Sequence, residues 1–407
     1  MSALKYWIWL QERRGIGAAT AHKMLETMGS PENIYFADAD DYARAGVKQK
    51  DIFQLMDKSM EGVREIVERC HDENWRIVSI EDAIYPERLK NIYDVPLVLY
   101  IRGRLPVMDE EAAVAIVGTR RCSPYGIKAA EQIGYEVTKG GGLIVTGLAR
   151  GIDTAAAWGA LRAGGRVVGV LGCGLDVVYP PENKSIIDDV AAVGAVISEF
   201  SPGTPAYAAN FPMRNRIMSG ISLGAVIIEA PRHSGALITA AHALEQGRDV
   251  FVVPGNIDAE ACYGSNRLLR EGGIAILNGF DILEEYRELY PQKLGIAKTV
   301  KTTPPEEDLL QNMIDRETEP RQKESKKVID NGESKEYIDS KKQVSSTPTD
   351  IEGGELAVYN TLKNGEKYVD EIINECGLEA KEVLSALTML EIKGHIKRLA
   401  GKSFTLC

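Results

Sequence analysis

The sequence predicts an α/β protein, built on a doubly wound, mostly parallel sheet with a small helical domain before it and a winged-helix-like domain after it. Three observations predict this. From residue 113 onward, short apolar runs recur without polar alternation, as strands do when both faces are covered. Helical stretches separate those runs, and repeated βα units make a parallel sheet. Finally, 407 residues, 44% hydrophobic and 26% charged, exceed what one ordinary core takes up, so two or three domains are expected.

Residues 1–72 read as the small helical domain. Residues 4–14 are amphipathic, and Gly15-Ile16-Gly17 makes a turn ahead of a helix. That arrangement resembles a helix-hairpin-helix or SAM-like unit, whose helix-start N–H groups hold a DNA phosphate; a plain turn between packed helices fits the same residues. Residues 73–290 form the sheet domain. Its first strands are expected at 77–80 and 97–101, with Pro86 between them interrupting any continuous strand. Further strands are expected at 113–117, 143–146, 167–171, 195–198, 225–229 and 250–253, with helices at 124–138, 154–163 and 236–246. Residues 291–350, with Thr302-Thr303-Pro304-Pro305 and a Ser345-Ser346-Thr347-Pro348 end, read as a flexible linker that has too few apolar residues to fold alone. Residues 351–407 read as helices at 356–362, 369–376 and 379–393, then a hairpin of 396–399 and 403–406, the order of a winged helix. Its third helix carries Glu379, Glu382 and Glu391, which oppose phosphate, so this domain is expected to contact protein rather than DNA.

Charge narrows the function. The chain carries a net charge of -11, yet residues 114–273 hold 14 Lys+Arg and 14 Asp+Glu. A nucleic-acid site there has to be a local basic pocket rather than a basic face. No run of about 18 apolar residues is present, so no membrane span is expected. The start lacks a signal-peptide pattern. Six widely spaced cysteines without a CxxC or CxxH pair speak against a zinc site or disulfide framework and fit a reducing cytoplasm.

Ligands of such sheets sit where strands run into helices at their C-terminal ends. Four loops there share one chemistry. Gly118-Thr119-Arg120-Arg121-Cys122-Ser123-Pro124 ends a strand with glycine, follows with a hydroxyl and two arginines, and opens a helix at Ser-Pro, which makes an anion cradle. In Thr146-Gly147-Leu148-Ala149-Arg150-Gly151-Ile152-Asp153, Asp153 is expected to cap the next helix, and Arg150 either reaches the pocket or pairs with Asp153. In Phe211-Pro212-Met213-Arg214-Asn215-Arg216, two cations fall in the first turn of a helix against its dipole, a pattern that points to function. Of the two, Arg216 is the candidate to turn inward to a carboxylate, and Phe211 is either a stacking face for a base or a core ring. In Glu229-Ala230-Pro231-Arg232-His233-Ser234-Gly235, Ser234 and Gly235 again offer helix-start N–H groups to an anion. There is no GxxxxGK[ST], no dinucleotide fingerprint, no GxSxG and no metal-ligand pairing. No cofactor, metal or catalytic residue is expected, and the reading is of a binding protein, not an enzyme.

At these residues the sequence resembles the DprA (Smf) family. The resemblance rests on Ala115-Ile116-Val117-Gly118-Thr119-Arg120, Thr146–Asp153, Phe211–Arg216, Ser234-Gly235-Ala236-Leu237-Ile238-Thr239-Ala240 and Val253-Pro254-Gly255, in this order. It implies an extended Rossmann-like domain that binds single-stranded DNA as a homodimer, protects incoming strands, and loads RecA recombinase in natural transformation. It places Gly118, Thr119 and Arg120 against phosphates, with Phe211–Arg216 at the same pocket. One departure is the acidic stretch Asp258-Ala259-Glu260 at the pocket rim. Two other classes compete. A nucleotide phosphoribohydrolase would need a PGGxGTxxE segment, but residues 231–239 end in Thr239 where the catalytic Glu belongs. A winged-helix transcription regulator would prefer duplex DNA.

Overall fold

The structure, a computed structural model, describes residues 3–13, 15–294, 351, 353–363, 365, 367–378, 380–393, 395–398 and 403–406. The chain divides into two compact units, one ending at Asp315 and one beginning at Arg316. Most of the linker expected over 291–350 lies outside the described residues. Pro291–Leu294 do not belong to it: Lys293 pairs with Glu111 at 2.8 Å and Leu294 is buried, so the first unit extends at least to residue 294.

Nine strands make the sheet of the first unit: β1 (Arg76–Ser79), β2 (Val98–Gly103), β3 (Ala113–Val117), β4 (Leu143–Thr146), β5 (Val167–Val170), β6 (Ala195–Ser198), β7 (Gly224–Ile227), β8 (Asp249–Val252) and β9 (Ile274–Ala275). Their order across the sheet is β1-β2-β6-β5-β4-β3-β7-β8-β9. β3 to β9 run parallel, whereas β1 and β2 join β6 as an antiparallel edge. The residues of β3, β4, β5, β6 and β7 are all buried, which is why the sequence shows apolar runs there and no alternation. One apolar core lies on each face.

From β3 the chain winds outward through β4, β5 and β6, then returns to lay β7, β8 and β9 on the other side of β3. The switch in direction opens a crevice at the C-terminal ends of β3, β4 and β7. Helices Pro124–Lys139, Ile152–Arg162 and Gly235–Glu245 start from that edge, close to their expected positions, and helix Lys184–Val193 is an addition to the expected set. The helix of the Phe211 segment begins at Asn210, so Arg214–Arg216 lie in its second turn. The dipole conflict expected of the first turn therefore does not arise.

The N-terminal helices pack on this sheet. Gln11 clamps the junction: its Nε2 donates to Glu199 O at 2.7 Å, and its Oε1 accepts Val98 N–H at 2.7 Å. At the glycine turn ahead of helix Ala18–Met28, Gly17 is the extended N-cap residue and makes no side-chain cap.

The second unit buries Val358, Leu362, Ile372, Val383, Leu387, Leu390 and Phe404. Helices Gly353–Leu362, Val369–Cys376 and Ala380–Ile392 precede strands Ile396–Arg398 and Ser403–Leu406, which pair antiparallel. Lys367–Tyr368 adds a third, short strand against Ser403 and Phe404. Glu379 lies outside the described residues. No helix among the described residues is long and apolar enough to cross a membrane.

Candidate nucleic-acid interface

A cleft of about 680 Å³ occupies the crevice at the switch point. Gly118, Thr119, Arg120, Arg121, Phe211, Arg214, Asn215, Ser234 and Gly235 line it, so the structure gathers nine of the eleven sequence-predicted site residues. Arg150 and Arg216 are the two that it does not bring there.

The Gly118–Ser123 loop is shaped from within. A Cβ on Gly118 would lie 2.5 Å from the Ile152 side chain, so only glycine lets β3 turn this tightly. Thr119 N–H donates to Glu229 O at 2.8 Å, and Thr119 Oγ1 accepts Arg121 N–H at 3.2 Å. Both arginines then project outward and are exposed. Neither has an acidic partner among the described residues. The Arg120 guanidinium lies 4.9 Å over the Phe211 ring, and Tyr179 packs against that same ring at 5.3 Å. Phe211 is half-buried. It is neither a core ring nor an open platform for a base; it holds Arg120, whose N–H edge remains available.

The helix start at Pro124 differs from the expected phosphate cradle. Ser123 Oγ accepts Gly126 N–H at 3.1 Å, and the carboxylate of Glu229 accepts both Ser123 N–H, at 2.9 Å, and the Ser123 hydroxyl. Glu229 is 1% exposed. The Glu229 carboxyl group already fills the position at the helix start, so arginine side chains rather than helix amides face the cleft here. Sequence reasoning missed the role of Glu229 because it depends on contacts 106 residues away in the chain.

Arg214 also departs from expectation. It is 3% exposed and reaches under the cleft: its guanidinium donates to Gly147 O at 2.9 Å, to Val170 O, and through Nε to Asn215 Oδ1 at 3.2 Å. It thereby brackets the ends of β4 and β5. A Cβ on Gly147 would sit 2.4 Å from Arg214 Nη2, which explains the glycine there. Asp153 shares this site. Instead of capping its helix, whose N-cap is Gly151, it accepts N–H groups of Gly147 at 3.1 Å and Ala149 at 3.4 Å. Burial pushes the Asp153 carboxyl up to about 6, against the pull of Arg214, Arg120 and its two amide donors. Burial likewise draws Arg214 down to about 10.

Arg216 turns away from the cleft. It is buried against Glu199 at 2.6 Å and Asp94 at 3.4 Å. Arg150 neither enters the cleft nor meets Asp153. Its exposed guanidinium pairs with Glu182 through Nε and, at 3.0 Å, through Nη2. Asn215 is structural in part, its Nδ2 donating to Gly235 O at 3.3 Å. Opposite Arg120, Ser234 caps helix Gly235–Glu245 by accepting Ala236 N–H at 3.2 Å. Thr239, a wall residue the sequence reading passed over as a ligand, is 1% exposed and also lines the cleft. Glu260 of the acidic stretch stands at the rim.

Comparison with known proteins identifies the family and the fold. Residues 76–287 match the model of the DNA recombination-mediator protein A family, and residues 345–402 match the DprA winged helix domain. The chain is 42% identical over 208 residues to the DNA processing protein DprA of Streptococcus pneumoniae, covering 51% of this chain and 73% of that one. It is 29% identical over 404 residues to Protein Smf of Synechocystis, covering 98% of each. The X-ray structure of DprA from Streptococcus pneumoniae superposes with a TM-score of 0.61 at 34% identity, over 69% of this chain and 97% of that one. With its sheet, its cleft and its winged helix, the chain belongs to the DNA recombination-mediator protein A family, the DprA/Smf family of DNA-processing proteins.

Proposed function

We propose that the chain binds single-stranded DNA in the switch-point cleft without catalysis, protects it, and passes it to RecA recombinase as a cytoplasmic homodimer acting in natural transformation. The observation that carries this reading is Arg120, an exposed cation with no acidic partner among the described residues, stacked on Phe211 and followed by Arg121, which is also exposed. A strand threaded past the cleft would meet these two cations with its phosphates and leave its bases free of sequence-specific contact. Family membership supplies the DNA-processing and recombination role. Thr119, Ser234 and Gly235 add hydroxyl and amide donors on the two sides of the same cleft.

The test is a competition assay. Labelled oligothymidine is bound by the full chain without ATP or magnesium, then challenged with unlabelled single strands or duplex. Displacement by single strands at concentrations at which duplex is ineffective supports the reading. Equal displacement by duplex, or binding that requires ATP, refutes it. The recombinase role is tested separately, by whether the full chain speeds assembly of RecA on strands already coated with a single-strand-binding protein.

A further inference from the structure

Helix Gly235–Glu245 contributes more to the cleft than its N-cap. Thr239 lies one turn in from Gly235 on the same helix face, is 1% exposed, and lines the cleft. Its hydroxyl has no hydrogen-bond partner. A threonine within a helix ordinarily returns its hydroxyl to the carbonyl four residues back. Here that carbonyl, Gly235 O, is taken by Asn215 Nδ2 at 3.3 Å. Helical side chains lean toward the helix N-terminus, so the Thr239 side chain leans toward the turn that begins at Gly235. Gly235 is exposed there, a Cβ on it would meet nothing within 4 Å, and its N–H has no acceptor among the described residues. A buried hydroxyl without a partner and an open helix-start amide thus stand one helical turn apart on the wall of the cleft that Arg120 also lines.

We propose that Thr239 Oγ1 and Gly235 N–H form a second anion subsite, which takes a phosphodiester oxygen of the bound strand by uncharged hydrogen bonds. This rests on the reading of the cleft as a site for single-stranded DNA. The subsite differs from the Arg120 side in kind: it supplies direction without net charge. It also fixes which way the strand's backbone faces, by holding successive phosphates from opposite walls.

The test uses the full chain, labelled oligothymidine, and the variants Thr239→Val, Thr239→Ser and Arg120→Ala. Thr239→Val keeps the shape and removes the hydroxyl. It is expected to weaken binding about tenfold, the loss of one hydrogen bond to a charged group. Its slope of log K against log salt should stay that of wild type, because no charge is removed. Its melting temperature should equal or exceed that of wild type, because the hydroxyl has no partner to lose. Thr239→Ser should bind within about threefold of wild type. A lower melting temperature for Thr239→Val, or equal weakening by Thr239→Ser, overturns the proposal in favour of a packing role. Wild-type binding by Thr239→Val, with Arg120→Ala weakened, overturns the subsite and leaves the cleft reading standing. Wild-type binding by both variants overturns the two together.

Discussion

Replacing Arg214 with methionine separates a structural arginine from a DNA-binding one. The sequence places Arg214 against phosphate, and on that view its removal weakens binding and spares the fold. The structure gives it another task. Its guanidinium is buried, brackets Gly147 O and Val170 O, and stands beside the buried Asp153 carboxyl. Methionine fills the space of the stem but makes none of these bonds. Breaking a buried charged arrangement from one side costs about 3–5 kcal/mol, with two carbonyls left unsatisfied included in that range. Urea unfolding followed by tryptophan fluorescence is expected to shift to lower urea by about 1–2.5 M, at a slope of roughly 2–3 kcal/mol per M. Adding Asp153→Asn should recover at least about 1 kcal/mol, because part of the loss comes from the stranded carboxyl. Unfolding of Arg214→Met at the wild-type urea concentration, with DNA binding abolished, would refute the reasoning and return Arg214 to the phosphates.

Two further predictions follow from the same cleft. Phe211→Leu removes the ring beneath Arg120 but leaves its charge; affinity for oligothymidine should fall about two- to fivefold, as expected for the loss of roughly 0.5–1 kcal/mol of cation–ring contact, with the salt slope unchanged. Fluorescence anisotropy checks this, and a changed slope would show that Phe211 does more than hold Arg120. Asp153, raised from its ordinary 3.8 to about 6 by burial, binds its proton more tightly folded than unfolded. Its contribution to stability is present below about pH 4 and lost as the pH rises to about 6, at most about 3 kcal/mol in all. The stability of wild type relative to Asp153→Asn should therefore fall across that window and level off above it, whereas a rise across it would mean that Arg214 keeps the carboxyl ionised.

Much of the fold is legible because burial on both faces writes itself into the sequence. β3 is an unbroken apolar run, β4 and β6 are apolar up to a final hydroxyl residue, and all three stand at their expected bounds. The antiparallel edge is not legible: β1 and β2 read as strands, but their place beside β6 depends on pairing across about a hundred residues, which no local pattern records. β9 has two residues, both exposed, and leaves no hydrophobic signature. The cleft is legible as a set of loops, since glycines, hydroxyls and arginines recur at strand ends. Which arginine faces outward is not. Arg120 and Arg214 look alike in sequence, yet one meets solvent and the other is buried on two carbonyls and the Asn215 amide oxygen. Arg150 and Arg216 are claimed by Glu182 and Glu199, carboxylates whose proximity only the folded chain creates. Glu229 stands in the fourth loop, but its bonds to Ser123 are hidden for the same reason.

The claim at the centre is that Arg120 meets DNA phosphate in the cleft, and the salt dependence of Arg120→Ala tests it most directly. Affinity for oligothymidine is measured from low to moderate salt for wild type, Arg120→Ala and Arg162→Ala, the last an exposed arginine paired with Glu131 on an outer helix. Arg120→Ala should bind more weakly, with a slope of log K against log salt shallower by roughly 0.7, the value for one lost phosphate contact on a single strand, while Arg162→Ala follows wild type. Wild-type affinity and slope for Arg120→Ala would contradict the account and reduce the Gly118–Ser123 loop to a turn.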